Sequence, residues 1–167
     1  MVRGMEIRSA KASDVPGVLP MVAKICGLHR QWDAAKYGFK PQPEEMYRRW
    51  LTHRADDPRS VFLVAEGQGR LVAFLIGTVE AEIPIYQIEE YGFIHDLWVE
   101  EEYRNEGIGK QMTMMAVEKF AEIGVKQVRL DTAAPNDVAR RLFEACGFRP
   151  SAMEMLLEIP QGSTGHG

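Results

Sequence analysis

Between Gly92 and Ile123 the apolar pattern of this chain changes its period. Gly92 to Val99 has strand character, whereas Ile108, Met112, Met115, Ala116, Phe120 and Ile123 recur at the three- and four-residue steps of a helix face that Gly124 ends. Beyond it, Gln127 to Thr132 reads as another short strand. A strand that feeds a helix and then a further strand is a crossover unit, and it needs a sheet for the helix to pack on. That unit commits the chain to an α/β (α+β) architecture.

The flanking segments fill in the sheet. Met5-Glu6-Ile7-Arg8 alternates as a first strand, and Ser13-Asp14 ahead of Pro16 offers a capping oxygen to a helix whose face is Val18, Leu19, Val22 and Ile25. Gly27 weakens the end of that helix, which is expected over Val15 to Leu28. A connector with Trp32, Tyr37 and Phe39 leads to a second helix from Pro43 that Asp56-Asp57-Pro58 stops. Val61 to Glu66 and Arg70 to Val79 form two strands around the turn signal Gly67-Gln68-Gly69. Asn136 to Cys146 is amphipathic, and Met153 to Ile159 reads as a last strand. The expected order is β-α-α-β-β-β-α-β-α-β, a mixed and mostly antiparallel sheet flanked by helices. With 167 residues this makes one domain over 1–159, and the Gly- and Ser/Thr-bearing tail 160–167 is expected to be disordered.

Composition excludes several classes. A 46% hydrophobic, 26% charged chain is of ordinary globular make-up. Its net charge of −4 argues against a nucleic-acid binder, and no apolar run suggests a membrane span. Cys26 and Cys146 stand alone with no metal-ligand spacing, which fits a reducing cytoplasm and no metal.

Chemistry concentrates in the joint Glu102-Tyr103-Arg104-Asn105-Glu106-Gly107-Ile108-Gly109-Lys110. Two glycines one residue apart allow the backbone to approach a ligand, and the unpaired N–H groups of the helix's first turn suit a phosphate or pyrophosphate. Arg104 and Lys110 offer counter-charge. A nucleoside-triphosphate loop would need Gly where Arg104 stands and Ser or Thr where Gln111 stands; a dinucleotide fingerprint would need Gly at Met112.

The block Ile94-His95-Asp96-Leu97-Trp98-Val99 followed by Tyr103-Arg104-x-x-Gly107-x-Gly109 closely resembles the acetyl-CoA motif of the GNAT superfamily of N-acetyltransferases. Downstream, Asn136 to Phe148 resembles the second motif of that superfamily, with its Asn, Ala and Gly-Phe pair. The resemblance implies that backbone amides of Arg104, Asn105, Glu106, Gly107, Ile108, Gly109 and Lys110 wrap the pyrophosphate of coenzyme A. It implies that the pantetheine arm lies along Leu97, Trp98 and Val99, with Asn136 and Phe143 on the other side. An N–H near Leu97 or Trp98 would hold the developing oxyanion. Many members carry a Tyr that protonates the leaving thiolate; the matching residue is Phe143, so that role falls to water, to Tyr91 or Tyr103, or to nothing.

An ammonium must lose its proton before it attacks, and His95 and Asp96 lie where several members carry acidic site residues. Adjacent on a strand, they are expected to face opposite sides, with Asp96 the better placed to hold a cation. From Leu71 to Tyr103 the chain carries eight carboxylates and no Lys or Arg, against +4 elsewhere. Glu89 and Glu90, beside Tyr91, suggest a rim for a cationic amine, and Trp32 and Tyr37 are further contacts. The expected activity is acetyl transfer from acetyl-CoA to a small cationic primary amine in a ternary complex. Acetylation of a protein N-terminus or lysine and a non-catalytic acyl-CoA-binding module are the alternatives. Family analogy suggests a homodimer.

Overall fold

The computed structural model describes residues 4–161. Five strands, β1 (Met5–Ser9), β2 (Ser60–Gly67), β3 (Arg70–Ala81), β4 (Glu90–Val99) and β5 (Val128–Leu130), form one sheet in the order β1-β2-β3-β4-β5. The first four run antiparallel, and β5 lies parallel to β4. The crossover that makes this possible is α3 (Ile108–Ile123).

Helices cover both faces. On one side α1 (Val15–Trp32) and α2 (Pro43–Ala55) bury Val18, Met21, Val22 and Leu51 against Phe62, Val64, Phe74 and Ile76. On the other, α3 buries Met112, Ala116 and Phe120 against Leu63, Ala65, Leu75 and Ile94. With cover on both faces, Phe74, Leu75 and Ile76 are all buried in succession, which is why β3 reads as a continuous apolar run. The last helix, α4 (Asp137–Ala145), packs against α3. No helix among the described residues is long and apolar enough to cross a membrane.

Three local expectations are corrected. Gly27 does not weaken α1 enough to end it at Leu28, and the helix continues to Trp32. Asp14 caps no helix N–H of α1: its carboxylate accepts from the backbone of Lys11 at 2.8 Å and from Arg8 at 2.7 Å. The last strand is not formed. From Arg149 to Gln161 the backbone makes no hydrogen bond to other backbone among the described residues, and Met153, Met155, Leu157 and Ile159 are exposed. Alternation there marks a strand-competent segment that forms no ladder among the described residues. Of the expected tail, 162–167 lie outside the described residues.

Two features seat α3 and shape β4. The register passes from Ile76↔Asp96 to Gly77↔Ile94, so His95 has no opposite number on β3 and forms a bulge. Phe120 lies on bare backbone there: a Cβ added at Gly92 would sit 2.7 Å from its ring, and one at Gly77 2.8 Å. Gly92→Ala is therefore expected to cost about 1–3 kcal/mol as overpacking. The loss should show as a lower urea midpoint at unchanged slope, and Phe120→Leu in the same chain should recover part of it.

Candidate functional site

β4 pairs with β5 only through Gly92, Phe93 and Ile94. From His95 to Val99 that edge has no ladder partner, while the opposite edge remains paired to β3 up to Ala73↔Val99. Free strand edge thus leads directly to the glycine loop. There a turn over Glu101–Tyr103 closes with Arg104 N–H donating to Glu101 at 3.2 Å, and the first bond of α3 runs from Gln111 N–H to Gly107 at 3.0 Å. Every backbone N–H between them, from Asn105 to Lys110, has no acceptor among the described residues. Asn105 (φ 63°) and Gly107 (φ 83°) are left-handed, a conformation that turns successive amides toward one side. With the helix dipole behind them, these donors fit the pyrophosphate of coenzyme A.

The two glycines have different jobs. Gly107 supplies the positive φ, whereas a Cβ on Gly109 would lie 3.2 Å from Leu142 of α4, so its small size serves helix packing. Arg104 does not project toward the loop's donors. Its guanidinium donates to the Val99 carbonyl at 2.9 Å and lies 4.7 Å over the Trp98 ring, clamping loop to strand. Lys110 makes no ion pair among the described residues. Asn136 uses its side-chain oxygen to cap α4 through Ala139 N–H at 3.1 Å. Phe143 is buried, its ring 5.8 Å from Phe148, and has no hydroxyl to offer.

The bulge overturns the expectation that His95 and Asp96 face opposite sides. Both turn toward α2: the His95 ring is 5.1 Å from that of Trp50, and Asp96 accepts from the Tyr47 hydroxyl at 2.9 Å. Burial pushes the Asp96 carboxyl up from its ordinary range, and the Tyr47 bond only partly opposes this. The same partnership raises the Tyr47 hydroxyl well above its usual value, with burial the larger cause. Burial also holds His95 below the ordinary imidazole value, so it is neutral at pH 7. Phe93 closes the other side of the His95 ring at 5.0 Å. Tyr47 and Trp50 escaped the sequence reading because nothing in α2 distinguishes them from other half-buried aromatics. Only the packing of α2 over the bulge selects them.

Four of the eight carboxylates of the acidic stretch are paired with cations. Glu82 pairs with Arg129 at 2.5 Å, Glu90 with Arg59 at 2.6 Å, Glu100 with Lys24 at 2.8 Å, and Glu102 with Arg70. Glu90 is thus committed, and the Tyr91 ring is covered by Arg129 at 3.9 Å. Glu89 has no ionic partner among the described residues. Trp32 and Tyr37 gather around His29, at 5.4 and 4.6 Å between ring centroids. His29 in turn lies within electrostatic range of Asp96.

This geometry has a counterpart among known proteins. The model of the acetyltransferase (GNAT) family matches residues 28–148. The chain belongs to the GNAT acetyltransferase family. It is 32% identical over 142 residues to N-acetyltransferase family 8 member 3 of Rattus norvegicus, covering 79% of this chain and 59% of the rat protein's length. In structure it resembles a mutant form of the BH1408 protein from Bacillus halodurans, with a TM-score of 0.80 at 20% identity over 93% of this chain and 99% of that one. A second solved neighbour is aminoglycoside N-acetyltransferase AAC(6')-Iy in complex with CoA, with a TM-score of 0.70 at 15% identity over 95% of this chain and 98% of that one. As a GNAT N-acetyltransferase, the protein is an enzyme acting on amino groups with acetyl-CoA.

The state of Asp96 gives a stability test. Its carboxyl is raised above 3.8, so the folded chain holds the proton more tightly than the unfolded chain does. Stability is then lost as pH rises from 3.8 through the folded value, and the deficit persists at neutral pH. Asp96→Asn retains an oxygen for Tyr47 and removes the charge. It should raise the urea midpoint at pH 7, and the gain should vanish below pH 3.8.

Proposed function

We propose that this enzyme acetylates a small cationic primary amine by direct attack in a ternary complex, with His95 as the general base and Asp96 beside it. The observation that carries this reading is the bulge, which turns a neutral imidazole and a carboxylate to the same side of a strand whose free edge leads to the pyrophosphate-binding loop. Acetyl-CoA brings a thioester whose C–S bond breaks as the amine's C–N bond forms. The protein's part is binding, orientation and proton removal. Amides from Asn105 to Lys110 hold the pyrophosphate, and the His95–Val99 edge hydrogen-bonds the amide-rich pantetheine arm as an added strand would. A backbone N–H near Leu97 or Trp98 stabilises the oxyanion.

On the acceptor side, Trp50 and Phe93 lie against the His95 ring and Tyr47 against Asp96, whose carboxylate is attractive to a cation. Trp32 and Tyr37, packed around His29, are further aromatic contacts, and Glu89 a further acidic one. Aromatic rings grouped with a carboxylate suit a compact cationic amine. The likeness of fold to an aminoglycoside N-acetyltransferase is compatible with that class. With Phe143 in place of a hydroxyl donor, sulfur leaves as thiolate, which is tolerable for a group whose thiol has a pKa of about 8.5. The free thiols of Cys26 and Cys146 fit a cytoplasmic location.

Release of free thiol from acetyl-CoA, measured across polyamines, aminoglycosides and basic peptides, tests the reading. Turnover is expected with small polyamine or aminosugar acceptors, and His95→Ala should lower kcat by roughly 100-fold without changing the KM for acetyl-CoA. Turnover with basic peptides alone would replace the small amine by a protein acceptor. Coenzyme A binding without turnover on any amine would make the chain a binding module. Gly107→Ala forces a side chain into left-handed backbone at a cost of about 1–2 kcal/mol, so the KM for acetyl-CoA should rise roughly tenfold.

A further inference from the structure

Thr78 and Glu80 lie on β3, on the face that carries Phe74 and Ile76, and neither has a part in the chemistry above. Thr78 is one of the few buried polar residues, at 2% exposure, and its hydroxyl has two neighbours. The Glu80 carboxylate is 2.5 Å away and His95 Nε2 is 2.6 Å away. We propose that Glu80 and Thr78 are positioning residues that hold His95 as the Nε2–H tautomer, leaving the lone pair of Nδ1 to take the proton of the incoming ammonium. The proposal rests on the base role given to His95 above.

A carboxylate at neutral pH only accepts, so the single hydroxyl proton of Thr78 is spent on Glu80. The Thr78 oxygen then has only lone pairs to turn toward the imidazole, and Nε2 must bring the proton for that bond. The reverse arrangement would leave two oxygens facing each other at 2.5 Å with no proton between them. A neutral imidazole carries one N–H, so fixing it on Nε2 leaves Nδ1 as the base. Nδ1 has no hydrogen-bond partner among the described residues.

When Nδ1 takes a proton, the Nε2–H bond to Thr78 survives, and the new positive charge sits 3.6 Å from the Glu80 carboxylate. The amine nitrogen then attacks the thioester carbon, the C–S bond breaks, and the second amine proton goes to the departing sulfur or to water. Three other charged or titratable groups surround His95. Arg54 of α2 opposes its protonation, while Asp96 and Tyr47 are committed to each other. Glu80 is the group that favours the imidazolium, although burial outweighs it.

Nitrogen-15 NMR of the labelled, ligand-free enzyme reads the tautomer without any turnover. The wild-type spectrum should show His95 with Nε2 protonated and Nδ1 bare as the sole neutral form. Thr78→Val should give a mixture of tautomers and about a tenfold lower kcat, with the KM for acetyl-CoA unchanged and both effects reversed in Thr78→Ser. Glu80→Gln keeps an acceptor for Thr78 but removes the charge. His95 should then titrate at lower pH, and the acid limb of kcat/KM should move down with it. A wild-type Nδ1–H form, or a His95 titration indifferent to Glu80→Gln, overturns the relay. A rate profile that ignores the titration of His95 while the spectrum shows the expected tautomer removes His95 as base, so the two readings fail separately.

Discussion

β4 carries one residue more than β3 can pair. Strand alternation would place Ile94 and Asp96 on one face and His95 and Leu97 on the other. The extra residue at His95 resets the count, so Ile94, Leu97 and Val99 belong to the α3 side while Asp96 and Trp98 join His95 on the α1/α2 side. The strand can thus bury an apolar row under α3 and present consecutive polar side chains to α2. The second requirement could not be met by an unbroken strand, because period-2 alternation forces neighbours apart.

The departure of β5 from β4 after Ile94 depends on the same place. One ladder ends where the other is interrupted, so a strand edge with free hydrogen-bonding capacity begins beside the polar pair. The glycine loop continues from that edge and offers only donors. Charge follows the same division. The acidic stretch from Leu71 to Tyr103 meets cations from α1, β3, β5 and the turn after α2, and the ion pairs are mostly part-exposed and individually worth little. These pairs offset half of the negative charge of the stretch, while Glu80 and Asp96 stay beside His95 and Tyr47.

The crossover unit, the hairpin around Gly67-Gln68-Gly69 and the loop of free amides were legible because each depends on local sequence: a period, a turn dipeptide, a pair of glycines. Family resemblance placed acetyl-CoA on that loop. The side of the strand on which His95 falls was not legible, since a bulge is decided by pairing with a distant strand and Ile94-His95-Asp96-Leu97 alternates plausibly without one. In retrospect the three-residue step from Ile94 to Leu97 on one buried face is its trace. Tyr47, Thr78 and Glu80 were invisible for the same reason: Tyr47 matters through Asp96, 49 residues away, and Thr78 and Glu80 through His95 on the neighbouring strand. Met153 to Ile159 shows the opposite failure, a strand-like local pattern that joins no ladder among the described residues.

The seat of α3 on Gly77 and Gly92 has a consequence for how the enzyme can vary. Phe120 meets main chain there, and main chain does not change when side chains are exchanged. The helix that begins at the donor loop is thereby referenced to the most invariant surface a sheet possesses. Substitutions along its outer face, at Met114, Glu118 or Glu122, leave that reference untouched. Drift in the surface of this helix, whether by natural divergence or by deliberate engineering of solubility, is therefore decoupled from the position of the anion cradle.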